Sequence, residues 1–393
     1  MIESKITQAV DILAEKEIDL WLTFVRETAS TPDPILDLIL GTNVVWPAAL
    51  LISRTGKNTA IVGSLDAQNI RDHAPYDVAG YVDSIRQPLL ENMKRLDPQR
   101  IAINTSKSDV MADGLTHGMY LTLLDLLKET PYAERLVSSE EIVAALRGRK
   151  SIEEIKRIKK AVDLTLEIFE RLDHFLHPGL SEIEVARFVR DLMEKMDLEP
   201  AWDPAQCPAV FTGPESAGAH AGPTGRIIEP GHLMNIDFGV RWRGYVSDLQ
   251  RTWYFLRQDE TEAPNQVRNG FETLRAAIDL AAGSLRPGVQ GWEVDQAARS
   301  RIVSDGYAEY PHALGHQVGR AAHDGAALLC PKWERYGQLP YLKVEAGQVY
   351  TIEPRLSVSG HGVVTVEDIV QVTSSGCSFI SAPQTELYLI NRT

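Results

Sequence analysis

The chain has 393 residues, which makes two domains the expectation, and its 44% hydrophobic and 24% charged content suits a globular protein with full cores. Its 54 acids against 40 bases leave a net charge of -14. That argues against nucleic acid or an anionic membrane surface as the main partner, and suits cations or small molecules. Three scattered cysteines, Cys207, Cys330 and Cys377, argue against a disulfide scaffold.

The first residues carry charges where a secretion signal needs an apolar core, and no apolar run approaches ~18 residues. The expectation is a cytoplasmic protein without a membrane span. Ile2, Ile6, Val10 and Leu13 are at helical spacing. Leu20, Leu22 and Phe24 alternate as a strand. Trp46 to Ser53 and Thr59 to Val62 flank Arg54-Thr55-Gly56-Lys57 as a hairpin candidate. Val78 to Val82 and Arg100 to Ile103 are further strands, and Met119 to Leu127 is a helix. Residues 1–146 therefore read as an α/β domain, structural or substrate-gating in role.

Three capping-box patterns mark helix starts at Ser138, Ser151 and Ser181, with Glu three residues on each time. Between the first two lies Arg147-Gly148-Arg149-Lys150, the expected boundary, read as a solvated linker. Residues 147–393 form the second domain, expected to be α+β. Its helices are expected at about Pro264 to Ala282 and Trp292 to Ser304.

Two hairpins in this domain carry the chemistry. In the first, Met234, Ile236, Phe238 and Val240 alternate, and a turn over Arg241 to Gly244 sets Asp237 opposite Asp248. In the second, Tyr350, Ile352, Pro354, Leu356 and Val358 alternate. A turn centred on Gly360 sets Glu353 opposite Glu367. Like charges directly opposite are destabilising, so each pair needs a cation or a shared proton. Two such pairs suggest four carboxylates around a hard cation site. His316, in ALGHQVG, is a fifth ligand. An imidazole among carboxylates suits manganese, iron, cobalt or zinc better than magnesium or calcium.

The order Asp237, Asp248, His316, Glu353, Glu367, in DFGVRWRGYVSDLQRT, GHQVGRAAHD, TIEPR and VEDIV, resembles the pita-bread metallopeptidases. These are Xaa-Pro aminopeptidase, Xaa-Pro dipeptidase (prolidase) and methionine aminopeptidase, with the metal-free relative creatinase. The separate N-terminal domain is similar to the prolidase and Xaa-Pro aminopeptidase branch. The resemblance implies two divalent ions, manganese first. Asp248 and Glu367 bridge them, Asp237 chelates one, and His316 and Glu353 hold the other. It implies a water activated between the ions, with Glu353 shuttling its proton to the leaving amine. It further implies that His323 contacts substrate and intermediate, that His220 is an active-site histidine, and that His312 lies nearby. A small peptide substrate and a homodimer are implied partners. Because all five ligand positions are filled, metal-free creatinase-like chemistry is disfavoured.

Two departures stand out. The prolidase branch usually has Arg two residues before the last Glu, where this chain has Thr365. It usually has Gly after Glu-Pro, where this chain has Arg355. The Gly360-centred register sets Arg355 opposite Thr365, so the expectation is a guanidinium that has crossed the hairpin to buttress the site or bind substrate. The departures keep open a non-peptide amide substrate on the same fold. A non-catalytic binding protein is the remaining class, against which the filled ligand positions argue.

Overall fold

The computed structural model describes residues 1–215 and 222–391. They divide into two compact units, Met1–Arg147 and Gly148–Thr393. No helix among the described residues is long and apolar enough to cross a membrane.

The first unit runs α1 (Ile2–Glu15), β1 (Leu20–Val25), α2 (Leu36–Ile39), β2 (Ala48–Ser53), β3 (Thr59–Gly63), α3 (Ala67–His73), β4 (Asp77–Tyr81), α4 (Arg86–Leu96), β5 (Ile101–Ile103), α5 (His117–Leu127), β6 (Leu136–Ser138) and α6 (Glu140–Gly148). The six strands form one mixed sheet in the order β4-β3-β2-β1-β5-β6. β1 and β2 are buried at every position, because both faces of the sheet carry apolar cover. Ile12, Leu13, Leu146 and neighbours lie on one side, and Leu89, Met93, Leu123 and Leu127 on the other.

The second unit opens with α7 (Ile152–Phe175) and α8 (Glu182–Lys195). Ser151 and Ser181 each accept from the N–H three residues on, and Glu154 and Glu184 reach back, so both capping boxes form as their spacing predicts. The third pattern does not. Ser138 ends β6 and α6 begins at Glu140. The basic string after α6 is not a solvated linker either. Arg149 pairs with Glu345 at 2.8 Å, and Lys150 is buried against Asp324 at 3.6 Å. Lys150 is drawn in because the buried Asp324 carboxylate needs a cation.

Then follow β7 (Glu199–Pro200), β8 (Ala209–Thr212), β9 (Leu233–Phe238), β10 (Val240–Trp242), β11 (Tyr245–Val246), β12 (Leu249–Phe255), α9 (Asn265–Ser284), α10 (Gly291–Ser304), β13 (Val349–Ile352), β14 (Arg355–Val358), β15 (Gly362–Thr365), β16 (Asp368–Val372), β17 (Cys377–Phe379) and β18 (Tyr388–Ile390). The sheets are β18-β12-β9-β8, β13-β16-β17, β11-β10-β7 and β14-β15. α7 and α8 cover one core, with the Phe169 ring tilted against Phe238 and Trp253. α9 and α10 cover a second, with Leu356, Val358, Val364 and Val366. The fold is α+β, as expected, with ligand-bearing strands between two helical layers.

Candidate active site

The second hairpin keeps the register predicted from Gly360. Val349 pairs with Gln371 and Ile352 with Asp368. Beyond them Arg355 pairs with Thr365 and Val358 with Gly362. Between the two ladders is a gap at 353–354 and 366–367. Pro354 has no N–H to donate. Here the acid-bearing peptides leave their own hairpin. The Glu353 N–H donates to the Leu314 carbonyl at 2.8 Å, and the Glu367 N–H to the Gln250 carbonyl at 3.1 Å. The ladder break thus ties both glutamates to the elements that bear the other candidate ligands.

The first hairpin differs from expectation. Its turn is the two-residue Arg243-Gly244, both with positive φ, 48° and 79°. Two positive φ values are the mark of a tight hairpin turn that matches strand twist. The expected turn was two residues too long. Asp237 therefore pairs with Gln250, not Asp248. The shift is by two residues, so facing is preserved, and the Asp237 and Asp248 carboxyls still meet within hydrogen-bonding reach. Gly239 makes the close approach possible. A Cβ there would sit 1.8 Å from the Ser247 carbonyl oxygen.

His316 comes from a loop that lines up along β13. The Thr351 N–H donates to the His316 carbonyl at 2.9 Å, and the His316 N–H to Thr351 Oγ1 at 3.1 Å. Gly315 allows this contact, since a Cβ would lie 2.0 Å from the Thr351 oxygen. The loop is anchored from behind. Buried Asp295 accepts the Leu314 N–H and both arms of Arg299, which also donates to the Tyr310 and His312 carbonyls.

The five predicted ligands are thereby brought together. His316 Nε2 is 3.1 Å from Glu353, 3.8 Å from Asp248 and 4.0 Å from Glu367. Donor atoms of Asp248, His316 and Glu367 all lie within 4.8 Å of one another. His316 Nδ1 faces the Gln317 carbonyl at 3.4 Å, which leaves Nε2 for a metal. His323 stacks edge-on to His316, ring centroids 4.1 Å apart. His312 turns Nδ1 to the Ala313 carbonyl and packs on Tyr310. His220 lies outside the described residues.

The electrostatics are lopsided. Burial, and then the charge of Glu353, push Asp237 up to about 8. Burial and the charge of Asp237 push Asp248 far above the carboxylate range, and burial and Asp248 do the same to Glu367. Burial works against charge on His316 and Glu353 too, but their mutual hydrogen bond outweighs it. His316 is raised and Glu353 lowered. Asp237 Oδ1 and both oxygens of Glu367 are buried with no hydrogen-bond partner among the described residues. Orphaned buried carboxylate oxygens carry a desolvation cost that only a cation or a proton offsets. An all-oxygen set plus one imidazole fits a divalent transition metal.

The matching family model is that of metallopeptidase family M24, over residues 156–374. The chain belongs to metallopeptidase family M24. The family is metal-dependent, in keeping with the oxygen-rich cluster. Among relatives, an Xaa-Pro dipeptidase of Pyrococcus horikoshii is 29% identical over 301 residues, covering 76% of this chain and 80% of its own length. An Xaa-Pro dipeptidase structure from Bacillus anthracis has TM-score 0.75 at 25% identity, covering 98% of this chain and 99% of that one. An X-Pro aminopeptidase structure from Thermotoga maritima shares the fold, with TM-score 0.72 at 20% identity over 98% and 99% of the two chains. This chain is therefore a peptidase-family protein of pita-bread fold.

For this M24 chain the sequence reading missed the residues that hold the candidate ligands. Buried Arg251 donates to the Gln250, Glu367 and Ala382 carbonyls, each at 2.8 Å, and pairs with Asp368 at 3.2 Å. Thr351 Oγ1 donates to Glu353 Oε1 at 3.2 Å and Gln250 Nε2 to Glu353 Oε2 at 3.3 Å. The one signal was polar residues at buried strand positions. The expected buttress is corrected. Arg355 stands opposite Thr365, half-buried, but makes no ion pair or hydrogen bond among the described residues. Burial alone accounts for its lowered pKa.

Proposed function

We propose that this chain hydrolyses the Xaa-Pro bond of a dipeptide or short peptide, with two divalent ions, manganese first, held by Asp237, Asp248, His316, Glu353 and Glu367. The observation that carries the reading is the convergence of these five side chains around orphaned carboxylate oxygens. The Xaa-Pro dipeptidase relatives supply the substrate class. When bound, the ions supply a water acidified to near neutrality and polarise the scissile carbonyl.

The protein's own groups do the rest. Glu353 is pinned at Oε1 by His316 and Thr351 and at Oε2 by Gln250. It takes the proton from the attacking water and returns it to the leaving amine. His323, resting on His316, donates to the carbonyl oxygen as it gains charge. His312 and His220 complete the substrate side in this reading. Half-buried Arg355, two residues after Glu353, offers a cation to the substrate. We further place the protein in the cytoplasm as a homodimer. Neutral Thr365, where the prolidase branch usually has an arginine, favours, as a second reading, a non-peptide amide substrate.

The test is release of the N-terminal residue from Ala-Pro, Ala-Pro-Ala and Ala-Ala by metal-stripped protein reloaded with manganese. Hydrolysis only with proline second and only with metal is expected. The first two peptides separate dipeptidase from aminopeptidase. Inactivity on all three, with metal bound, would replace the peptide by a non-peptide substrate.

A further inference from the structure

We infer that Gln250, locked by Thr365, is the positioning residue that aims Glu353 and Glu367 at the metal site, an inference that rests on the metallopeptidase reading above. Both residues are buried, at 7% and 5% exposure. A primary amide has one accepting and one donating end, so its orientation decides what it does. Nε2 lies 3.3 Å from Glu353 Oε2. A carboxylate oxygen only accepts, so the amide turns an N–H to Glu353. Oε1 then faces Thr365 Oγ1, which donates to it at 2.8 Å.

Thr365 is itself held. Its N–H donates to Thr252 Oγ1 at 3.3 Å, and that hydroxyl donates back to the Thr365 carbonyl at 2.6 Å. Asn235 Nδ2 donates to the same hydroxyl at 2.6 Å. The backbone of Gln250 completes the arrangement, because its carbonyl accepts the Glu367 N–H. One residue therefore fixes Glu367 through its main chain and Glu353 through its amide. A neutral amide orients the Glu353 carboxylate without neutralising it. The full acid charge is left for the cations, where a guanidinium would compete with them.

The test is titration of manganese into the metal-stripped full chain by calorimetry. Thr365→Val keeps the shape and removes the hydroxyl, and Gln250→Met keeps the length and removes the amide. Each is expected to weaken manganese binding about 10–100-fold, and Thr365→Ser to restore it. On Ala-Pro the loss is expected in kcat rather than KM, because the amide touches Glu353 and not the substrate. Wild-type affinity in Thr365→Val, or equal weakening in Thr365→Ser, would overturn the inference. If Thr365→Val does not fold, the Gln250→Met titration decides alone. Metal affinity needs no substrate, so an enzyme inactive on every Xaa-Pro peptide would sink the peptidase reading and leave the amide to be judged by titration. A wild-type chain that binds no manganese would overturn both.

Discussion

Glu353 is the best-held acid of the site, with a donor on each oxygen, while Asp237 and Glu367 keep buried oxygens that nothing in the described protein satisfies. That contrast predicts a pH effect. Asp237 rises from its ordinary 3.8 to about 8 in the folded state. An acid with a raised folded pKa stabilises the fold fully below its unfolded pKa and loses that contribution as pH rises through the folded one. Metal-stripped protein should therefore lose thermal stability between about pH 4 and pH 8. Asp237→Asn should flatten that slope, and manganese should flatten it in the wild type. Melting curves of the three samples across this range check it. A wild-type apo midpoint that does not fall would refute the assigned charge state. The candidate acids could be picked out at this scale, because acids on buried strand faces are rare. Gln250, Thr351 and Arg251 were not, because an isolated polar residue in a strand does not reveal what it bonds to.

At the scale of elements, two close backbone approaches shape the site. Gly239 lets β9 and β10 fold over Ser247, and Gly315 lets the His316 loop lie against β13. Gly315→Ala would drive a Cβ to 2.0 Å from a backbone oxygen that cannot swing aside. The expected cost is ~1–3 kcal/mol of stability, with weaker manganese binding because His316 shifts with the loop. Urea unfolding and a manganese titration of the variant measure the two effects. An unchanged midpoint with weakened metal binding would place the strain in the loop alone. Unchanged values in both would show that the loop relaxes freely. The second hairpin's register was readable from the Gly360 turn. The first was misjudged by two residues, since Arg243 gives no sign that it adopts a positive φ normally left to Gly or Asn.

At the scale of the molecule, the apolar clusters fall within one unit or the other. Two belong to Met1–Arg147 and two to Gly148–Thr393. All five candidate ligands lie in the second. Metal at a hundred times its dissociation constant adds about 2.7 kcal/mol, roughly a hundredfold in opening equilibria. Amide exchange in β9, β12, β13 and β16 should slow by up to that factor on manganese loading. Exchange in β1 to β5 should not change. Equal slowing in both units, followed by mass spectrometry, would show that they open together.

The sequence by itself determined the α+β class, the choice of the five candidate ligands and one hairpin register. Those features follow from local patterns, namely periodicity, capping boxes and turn glycines, which act over a few residues. Only the tertiary structure decided that Asp237 pairs with Gln250, that Arg149 pairs with Glu345 and Lys150 with buried Asp324, and that Gln250 hydrogen-bonds Glu353. Each of these depends on which distant strands share an edge. The partner of Thr365 is 115 residues away, and no local pattern encodes such a pairing.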